Sequence, residues 1–220
     1  MPNISGRTVA LMLGLFLAAM TSGVAIESGT SAPAGERSDL DDLLWPAAEA
    51  SWRMDQNGRR LAAALLRDRV VVVSFVSADC SIVCAVRTLD LDKVARALPE
   101  PLRERVRFLA LGTDPARDAS GRLRAFAEGL VGASSRLRFL PSEPAETAAR
   151  ATLLRYPAGA LPEPPPVILL FDRRGRVAMT YGSDPLDGPR LLQDIALLET
   201  FAHGLDRPPG RASTEPSTPL

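Results

Sequence analysis

The sequence predicts an α/β fold in which a central mixed sheet is flanked by helices and preceded by a β-hairpin. The apolar run Val70–Val76 has no alternation, which is typical of a strand that is covered on both faces, and Arg105–Thr113 is a second candidate for a buried strand. A helical pattern follows each of these runs. Near the end of the chain, Val167–Phe171 and Val177–Tyr181 form a strand pair across the turn residues Arg174-Gly175.

The hairpin is predicted in Ser51–Arg60, where two extended stretches flank Asn57-Gly58. Asn-Gly between extended stretches is a strong short-range signal for a hairpin turn. The next segment, Leu61–Leu66, is predicted to form a brief helix before the first buried strand.

The helix after the first buried strand is predicted from Ile82, Val86 and Leu89, which repeat at roughly helical spacing. Either Asp79 or Ser81 can serve as its N-cap, because both side chains can accept a hydrogen bond from the free N–H groups of a first turn. The pattern ends at two closely spaced prolines.

Three further helices and one short strand complete the predicted order. The helices are Ser120–Gly132, a segment from Pro144 to about Leu154, and Pro189–Gly204, and the strand is Leu137–Leu140. The resulting order is hairpin, β, α, β, α, β, α, ββ, α. This order is the plan of a thioredoxin-like fold.

The only two cysteines, Cys80 and Cys84, stand between the first buried strand and its helix. If the helix begins there, both side chains share one face near its first turn. Unpaired N–H groups and the positive end of the helix dipole favour a thiolate there, whereas the neighbouring Asp79 carboxylate opposes it. The carboxyl end of a central strand is also where open α/β sheets place their sites.

Two chemistries suit such a pair. Cys80 and Cys84 can bind a soft monovalent ion such as Cu(I), or they can cycle between dithiol and disulfide as a catalytic redox pair. The alternative is a pair of buried cysteines that act only as small apolar side chains. Asp114 and Asp118 follow the second buried strand and are interpreted as turn residues, with orientation of the cysteine loop as the alternative.

Composition argues against several other functions. Lys+Arg and Asp+Glu are equal at 26 each, and aromatic residues make up 5% of the chain, so neither charge nor stacking platforms support nucleic-acid binding. His203 is the only histidine, which leaves no plausible Ser/His/Asp arrangement, and the sequence contains no phosphate-cradling glycine loop.

Residues 1–25 resemble an export signal, with Arg7, an apolar run at Val9–Met20 and the small residues Gly23-Val24-Ala25. The run is short against the ~20 residues that span a bilayer, and an uncleaved N-terminal anchor is the alternative. The predicted location is therefore the periplasm, with a tether to the inner membrane if the signal is retained. In that oxidising compartment two nearby cysteines can form a disulfide.

The remaining boundaries follow from composition. We predict a flexible spacer at residues 26–45, a thioredoxin-like domain at residues 46–206 and a disordered tail at residues 207–220, which is rich in Pro, Ser and Thr.

Four segments in this order resemble the Sco/SenC family, over roughly residues 50–205. They are Asp55–Arg59, like the family's opening hairpin; Val71–Cys84, like its strand and C-x-x-x-C motif; Thr113–Asp118, like its D-P-x-R-D loop; and Leu170–Arg176, like its late strand and turn. The resemblance implies a thioredoxin fold and a part in delivering copper to cytochrome c oxidase. It also implies Cys80 and Cys84 as copper ligands, with the copper-binding subunit of the oxidase or another copper or thiol protein as partner.

The sequence departs from the family pattern at its third copper ligand. That ligand is a histidine, which alignment on the late strand places near Pro164, where this chain has no histidine. His203 lies at the end of the last predicted helix, where the helix dipole favours it without any metal. Ser81 and Ala85 also stand where the family normally has proline.

Three hypotheses follow. The first is a Sco-like protein that holds Cu(I) or keeps a partner's copper-ligand cysteines reduced. The second is a general thiol–disulfide oxidoreductase, in which the more exposed Cys80 attacks and Cys84 resolves. The third is a non-catalytic partner-binding protein with a structural disulfide, whose bridge would be far harder to reduce than a working one.

Overall fold

A computed structural model describes residues 38–46, 51–116, 118, 120–142, 150, 154, 163–182 and 185–201. The predicted signal segment, the C-terminal tail, His203 and most of the helix predicted from Pro144 to Leu154 lie outside these residues. Within the described part of the chain, no helix is long and apolar enough to cross a membrane.

The described chain contains seven strands and five helices. In order they are α1 (Asp39–Leu44), β1 (Trp52–Met54), β2 (Arg60–Ala62), a 3-10 turn (Ala63–Leu65), β3 (Val70–Val76), α2 (Ile82–Ala97), α3 (Glu100–Arg103), β4 (Val106–Gly112), α4 (Ser120–Val131), β5 (Leu137–Leu140), β6 (Ile168–Phe171), β7 (Val177–Tyr181) and α5 (Gly188–Thr200).

The central sheet has the strand order β5-β4-β3-β6-β7, with β3 in the middle. Strands β3, β4 and β5 are parallel, whereas β6 and β7 run antiparallel to their neighbours. Val72 of β3 faces Phe108 on one side and Leu170 on the other. The predicted mixed sheet, the helices around it and the thioredoxin-like plan are therefore confirmed.

Both faces of this sheet are covered, which is why β3 shows no alternation of apolar and polar residues. Helices α2, α4 and α5 pack on one face through a buried cluster that includes Leu91, Leu123 and Ile195. On the other face, α1 and the segment after the hairpin cover Val71 and Val73. All seven residues of β3 are buried as a result.

The N-terminal hairpin of β1 and β2 forms where Asn57-Gly58 predicts it. Gly58 has a φ of +69°, a backbone conformation that glycine adopts without a steric penalty. Asp55 closes the loop, because its buried carboxylate accepts hydrogen bonds from the N–H groups of Asn57 and Arg59 and pairs with Arg138 of β5 at 2.9 Å. The helix predicted at 61–66 is only a 3-10 turn, since β2 continues to Ala62.

Within the segment predicted as a spacer, the apolar residues of Ser38–Trp45 pack into the domain. Leu40, Leu43 and Leu44 of α1 are each at most 3% exposed, and burying a leucine contributes about 1.5–3 kcal/mol. Ser38 and Asp41 form a capping box at the start of α1.

Helix α1 is attached to the turn between β6 and β7. The N–H of Leu40 donates to the carbonyl oxygen of Gly175 at 2.9 Å, and the N–H of Val177 donates to the Asp39 carboxylate at 2.9 Å. Since Phe171 at the end of β6 pairs with Val71 near the start of β3, this contact lies at the end of the sheet opposite the cysteines.

Helix α5 is shorter than predicted and ends at Thr200. It is tied to β7 by Asp194, whose carboxylate accepts hydrogen bonds from the Tyr181 hydroxyl at 2.6 Å and from Arg190 at 2.9 Å. Burial and the Asp194 carboxylate raise the pKa of Tyr181 well above its ordinary value, so the phenol stays protonated as the donor.

Because α1 lies close to Gly175, we expect an alanine at this position to lower the free energy of unfolding by more than backbone strain alone. Gly175 has a φ of +76°, and a Cβ would lie 2.6 Å from the Ser38 Oγ and 3.2 Å from the Leu40 Cβ. Gly58 is the matched control, because its φ is also positive but a Cβ added there would have no neighbour within 4 Å.

We expect Gly58→Ala to lose about 1–2 kcal/mol of unfolding free energy through backbone strain alone. Gly175→Ala should lose a further 1–3 kcal/mol or so, because Ser38 and Leu40 must move. Denaturant unfolding of the two variants measures the difference. Equal losses would mean that α1 does not pack against this turn.

Candidate redox and copper-ligand site

The two cysteines lie at the carboxyl end of the central strand. Cys80 stands in the loop between β3 and α2, and Cys84 lies in the first turn of α2. The two side chains are joined as a disulfide, with their Cα atoms 5.8 Å apart. The predicted shared helix face is wrong, because α2 begins at Ile82 and Cys80 lies in the loop before it. The loop, and not the helix, brings the Cys80 sulfur to that of Cys84.

The two sulfurs differ in their surroundings. Cys84 is 3% exposed and belongs to the core beneath α2, whereas Cys80 is only half-buried. The nearby apolar side chains of Ile82, Val83 and Val86 are 79%, 49% and 44% exposed. A reacting molecule therefore reaches the pair from the side of Cys80.

Ser81 is the N-cap residue of α2, but its side chain makes no capping hydrogen bond. A carboxylate from elsewhere in the chain contacts the N-cap residue instead: the Ser81 N–H donates to the Glu163 Oε2 at 3.2 Å. Glu163 is exposed and lies 82 residues further along, next to the position near Pro164 where the family resemblance places a histidine. The sequence alone did not identify Glu163.

Asp79 is not a helix cap either. Its Oδ1 atom pairs with the Nη2 atom of Arg122 on α4 at 2.5 Å, and both side chains are about half exposed. An ion pair this accessible contributes at most about 1 kcal/mol to stability. Its larger effect is local, because Arg122 offsets the negative charge directly beside Cys80.

Asp118 makes the most buried polar contact with the cysteine loop. It is 1% exposed, and its carboxylate accepts hydrogen bonds from the N–H groups of Ala78 at 2.9 Å and Asp114 at 2.8 Å. The turn interpretation is therefore sufficient for Asp114, whose own carboxylate accepts from the N–H of Ala116. For Asp118 the alternative is correct, since it also holds the loop that carries Cys80.

Hydrogen bonds also hold the end of β4 in place beside the end of β3. The N–H of Thr113 donates to the carbonyl oxygen of Val76 at 3.0 Å, which continues the pairing of β3 and β4 past the last strand residues. Arg150, which is 6% exposed, donates to the carbonyl oxygens of Gly112 at 2.5 Å and Thr113 at 3.3 Å. No local pattern in the sequence pointed to Arg150.

The ligand set available for a metal is small. Among the residues that the structure describes, no three His, Cys, Asp or Glu side chains lie close enough together to hold an ion. Cys80 and Cys84 are the candidate ligands, and their disulfide has to be reduced before either sulfur can bind a metal ion. Two thiolates suit Cu(I), whereas Cu(II) prefers tetragonal nitrogen and oxygen ligands.

Comparison with known proteins identifies the family that this chain resembles. Residues 47–151 match the SCO1/SenC family model. No curated protein matches the chain closely enough to count as a relative.

Solved structures of Sco proteins share the fold. A SCO1/SenC family lipoprotein from Bacillus anthracis is 21% identical, with a TM-score of 0.57 over 67% of this chain and 91% of that one. ScoI from Bradyrhizobium japonicum, solved with copper bound, is 21% identical, with a TM-score of 0.54 over 67% of this chain and 96% of that one. BsSco, solved in a study of a disulfide switch, is 17% identical, with a TM-score of 0.56 over 68% of this chain and 91% of that one.

The unequal burial of the two sulfurs predicts their order of modification. In the reduced full chain, N-ethylmaleimide should modify Cys80 at least about tenfold faster than Cys84, because thiol reactivity follows exposure. Peptide mapping by mass spectrometry measures both rates. Denatured protein is the control, in which the two rates should converge; equal rates in the folded protein would contradict the assigned burial.

Proposed function

We propose that this chain, whose resemblance to the Sco/SenC family is now established, assists assembly of the copper site of cytochrome c oxidase. It does so by carrying Cu(I) on Cys80 and Cys84 or by reducing the copper-ligand cysteines of its partner. The observation that carries the proposal is the Cys80–Cys84 disulfide at the carboxyl end of β3, with one sulfur accessible and the other buried.

The similar proteins support the part in oxidase assembly and the copper half of this proposal. BsSco belongs to the Sco family of cytochrome c oxidase assembly proteins, and the structure of ScoI from Bradyrhizobium japonicum has copper bound. The partner proposed here is accordingly the copper-binding subunit of the oxidase, or another copper or thiol protein. The proposed location is the periplasm, because residues 1–25 resemble an export signal.

Copper handling begins with reduction of the disulfide, which takes up two electrons and two protons from a dithiol reductant. The two sulfurs then lose their protons as they bind Cu(I), the soft ion that thiolates prefer. Because the sequence has no histidine near Pro164, where the family resemblance places the third ligand, we infer transient transfer of Cu(I) in preference to storage.

Thiol reduction uses the same two residues without a metal. The Cys80 thiolate attacks the disulfide of the partner, forming a mixed disulfide and releasing one partner thiolate. The Cys84 thiolate then attacks the Cys80 sulfur, which releases the second partner thiolate and restores the Cys80–Cys84 bond. Two electrons pass to the partner, whose thiolates take up two protons from the solvent at neutral pH.

A general thiol–disulfide oxidoreductase is the second candidate, favoured by the missing histidine. A purely structural disulfide is less well supported, because Cys80 is half-buried and lies in a loop instead of the core. The reduction potential separates these cases, since structural bridges lie below about −300 mV.

An anaerobic Cu(I) titration of the reduced full chain against a competing chelator tests the copper half of the proposal. We expect one-to-one competitive binding that is lost in both Cys80→Ser and Cys84→Ser, because each removes one of two ligands. Ser81→Ala, which keeps both sulfurs, is the control and should bind like the unaltered chain. No competitive binding, together with a readily reduced disulfide, would make the protein a thiol oxidoreductase.

The contact of Glu163 with Ser81 predicts that a histidine introduced at this position improves copper binding. Imidazole is a good copper ligand, and Glu163 reaches the residue between Cys80 and the helix. We expect Glu163→His to bind Cu(I) about tenfold more tightly and to gain measurable Cu(II) binding. Glu163→Gln controls for the lost charge, and Glu128→His, an exposed position on α4, controls for the added imidazole. Equal affinities in Glu163→His and Glu163→Gln would show that residue 163 cannot reach the metal.

A further inference from the structure

Asp118 is a buried acidic residue to which the proposed chemistry assigns no part. It lies 38 positions after Cys80 in the sequence, between β4 and α4, yet its Oδ1 atom accepts a hydrogen bond from Ala78, two residues before Cys80. Its Oδ2 atom accepts from Asp114, and its own N–H donates to the Asp114 carbonyl oxygen at 2.8 Å. One carboxylate therefore joins the loop after β4 to the loop after β3.

The protein leaves room for this carboxylate at the end of the sheet. Gly112 is the last residue of β4, and a Cβ there would lie 2.8 Å from the Asp118 Oδ2. No cation pairs with Asp118 among the residues that the structure describes. Burying a carboxylate without a counter-ion is costly unless hydrogen bonds satisfy it, and here backbone N–H groups from two loops do so.

The hydrogen bond between Ala78 and Asp118 affects the disulfide because Ala78 lies two residues before Cys80. The stability of an internal disulfide against external thiols rises with the effective concentration of its two thiols, which rises when their backbone is held in place. Cys84 is held by the helix and the core. Cys80 lies in the loop, where its own N–H donates to the Ser77 carbonyl oxygen at 3.1 Å and the Ala78–Asp118 hydrogen bond ties the loop to the chain after β4.

We propose that Asp118 is a positioning residue that holds Cys80 next to Cys84 and so sets how readily the disulfide is reduced. This inference rests on the proposed use of the pair in copper or thiol chemistry. Removing the Asp118 carboxylate frees Ala78, lowers the effective concentration of the two thiols and makes the dithiol easier to form.

Asp172 provides a matched control for the loss of a buried turn aspartate. It is 2% exposed, and its carboxylate accepts hydrogen bonds from the N–H groups of Arg174 and Arg176 at 2.9 and 3.0 Å. It follows β6 at the end of the sheet where α1 packs, away from the cysteines. Its removal weakens a turn without touching the cysteine loop.

The experiment compares the redox equilibria of the full chain and its variants with a glutathione buffer at neutral pH. We expect Asp118→Ala to raise the equilibrium constant for reduction about tenfold. Asp118→Asn, which retains one acceptor, should show a smaller rise and provides a folded variant if Asp118→Ala is too unstable. Asp172→Ala should lose stability in thermal unfolding with an unchanged reduction equilibrium.

The outcomes separate the inference from the proposed function. If the unaltered pair is readily reduced and Asp118→Ala and Asp118→Asn match Asp172→Ala, Asp118 only shapes its turn and the inference is overturned. A fall in the equilibrium constant would overturn it as well. If the unaltered pair resists reduction like a structural bridge, the proposed function fails and the inference fails with it.

Discussion

The double burial of β3 is the constraint on which the rest of the molecule depends. Val70–Val76 pairs with β4 on one side and β6 on the other, and both of its faces are covered by apolar side chains. If either layer is missing, the valines on that face are exposed and no longer contribute hydrophobic stabilisation. Burial of this one seven-residue segment thus requires the helices α2, α4 and α5 on one face and the α1 layer on the other. That segment also fixes where the chain leaves the sheet, and Cys80 stands four residues beyond this point.

Where the chain leaves β3, Cys84 is held in place and Cys80 is accessible. The helix and the core hold Cys84, and the Thr88 hydroxyl donates to its carbonyl oxygen at 2.9 Å. Among the residues that the structure describes, the side chains of Asp118, Arg122 and Glu163 reach the loop around Cys80 from other parts of the chain. The loop is therefore ordered without being enclosed, which suits a sulfur that has to meet another molecule.

Local patterns in the sequence predicted the elements that depend on local physics. β3 has an unbroken apolar run, and the hairpin has an Asn-Gly turn signal. The helix after Cys80 has helical spacing, although Ile82 and Val86 of that pattern are exposed and do not form its buried face. Helix α1 also carried such a signal, since Ser38 and Asp41 have the spacing of a capping box, but the polar composition before it favoured a spacer.

The contacts around the cysteines could not be predicted in the same way. Arg122 pairs with a residue 43 positions away, and Glu163 contacts one 82 positions away. Neither position has a local pattern, because a long-range hydrogen bond depends on how separate elements are placed by the fold. Asp118 shows the same limit, since its turn could be predicted from Asp-Pro while its bond to Ala78 depends on the pairing of β3 with β4.

The unequal burial of Cys80 and Cys84 has a consequence for the kinetics of exchange. A macromolecular partner can form its mixed disulfide with Cys80 only, because the Cys84 sulfur lies inside the core. The lifetime of that covalent complex is then set by attack from within the same molecule, a first-order event that partner concentration cannot accelerate. Dilution of the partner slows the formation of the complex and leaves its resolution by Cys84 untouched.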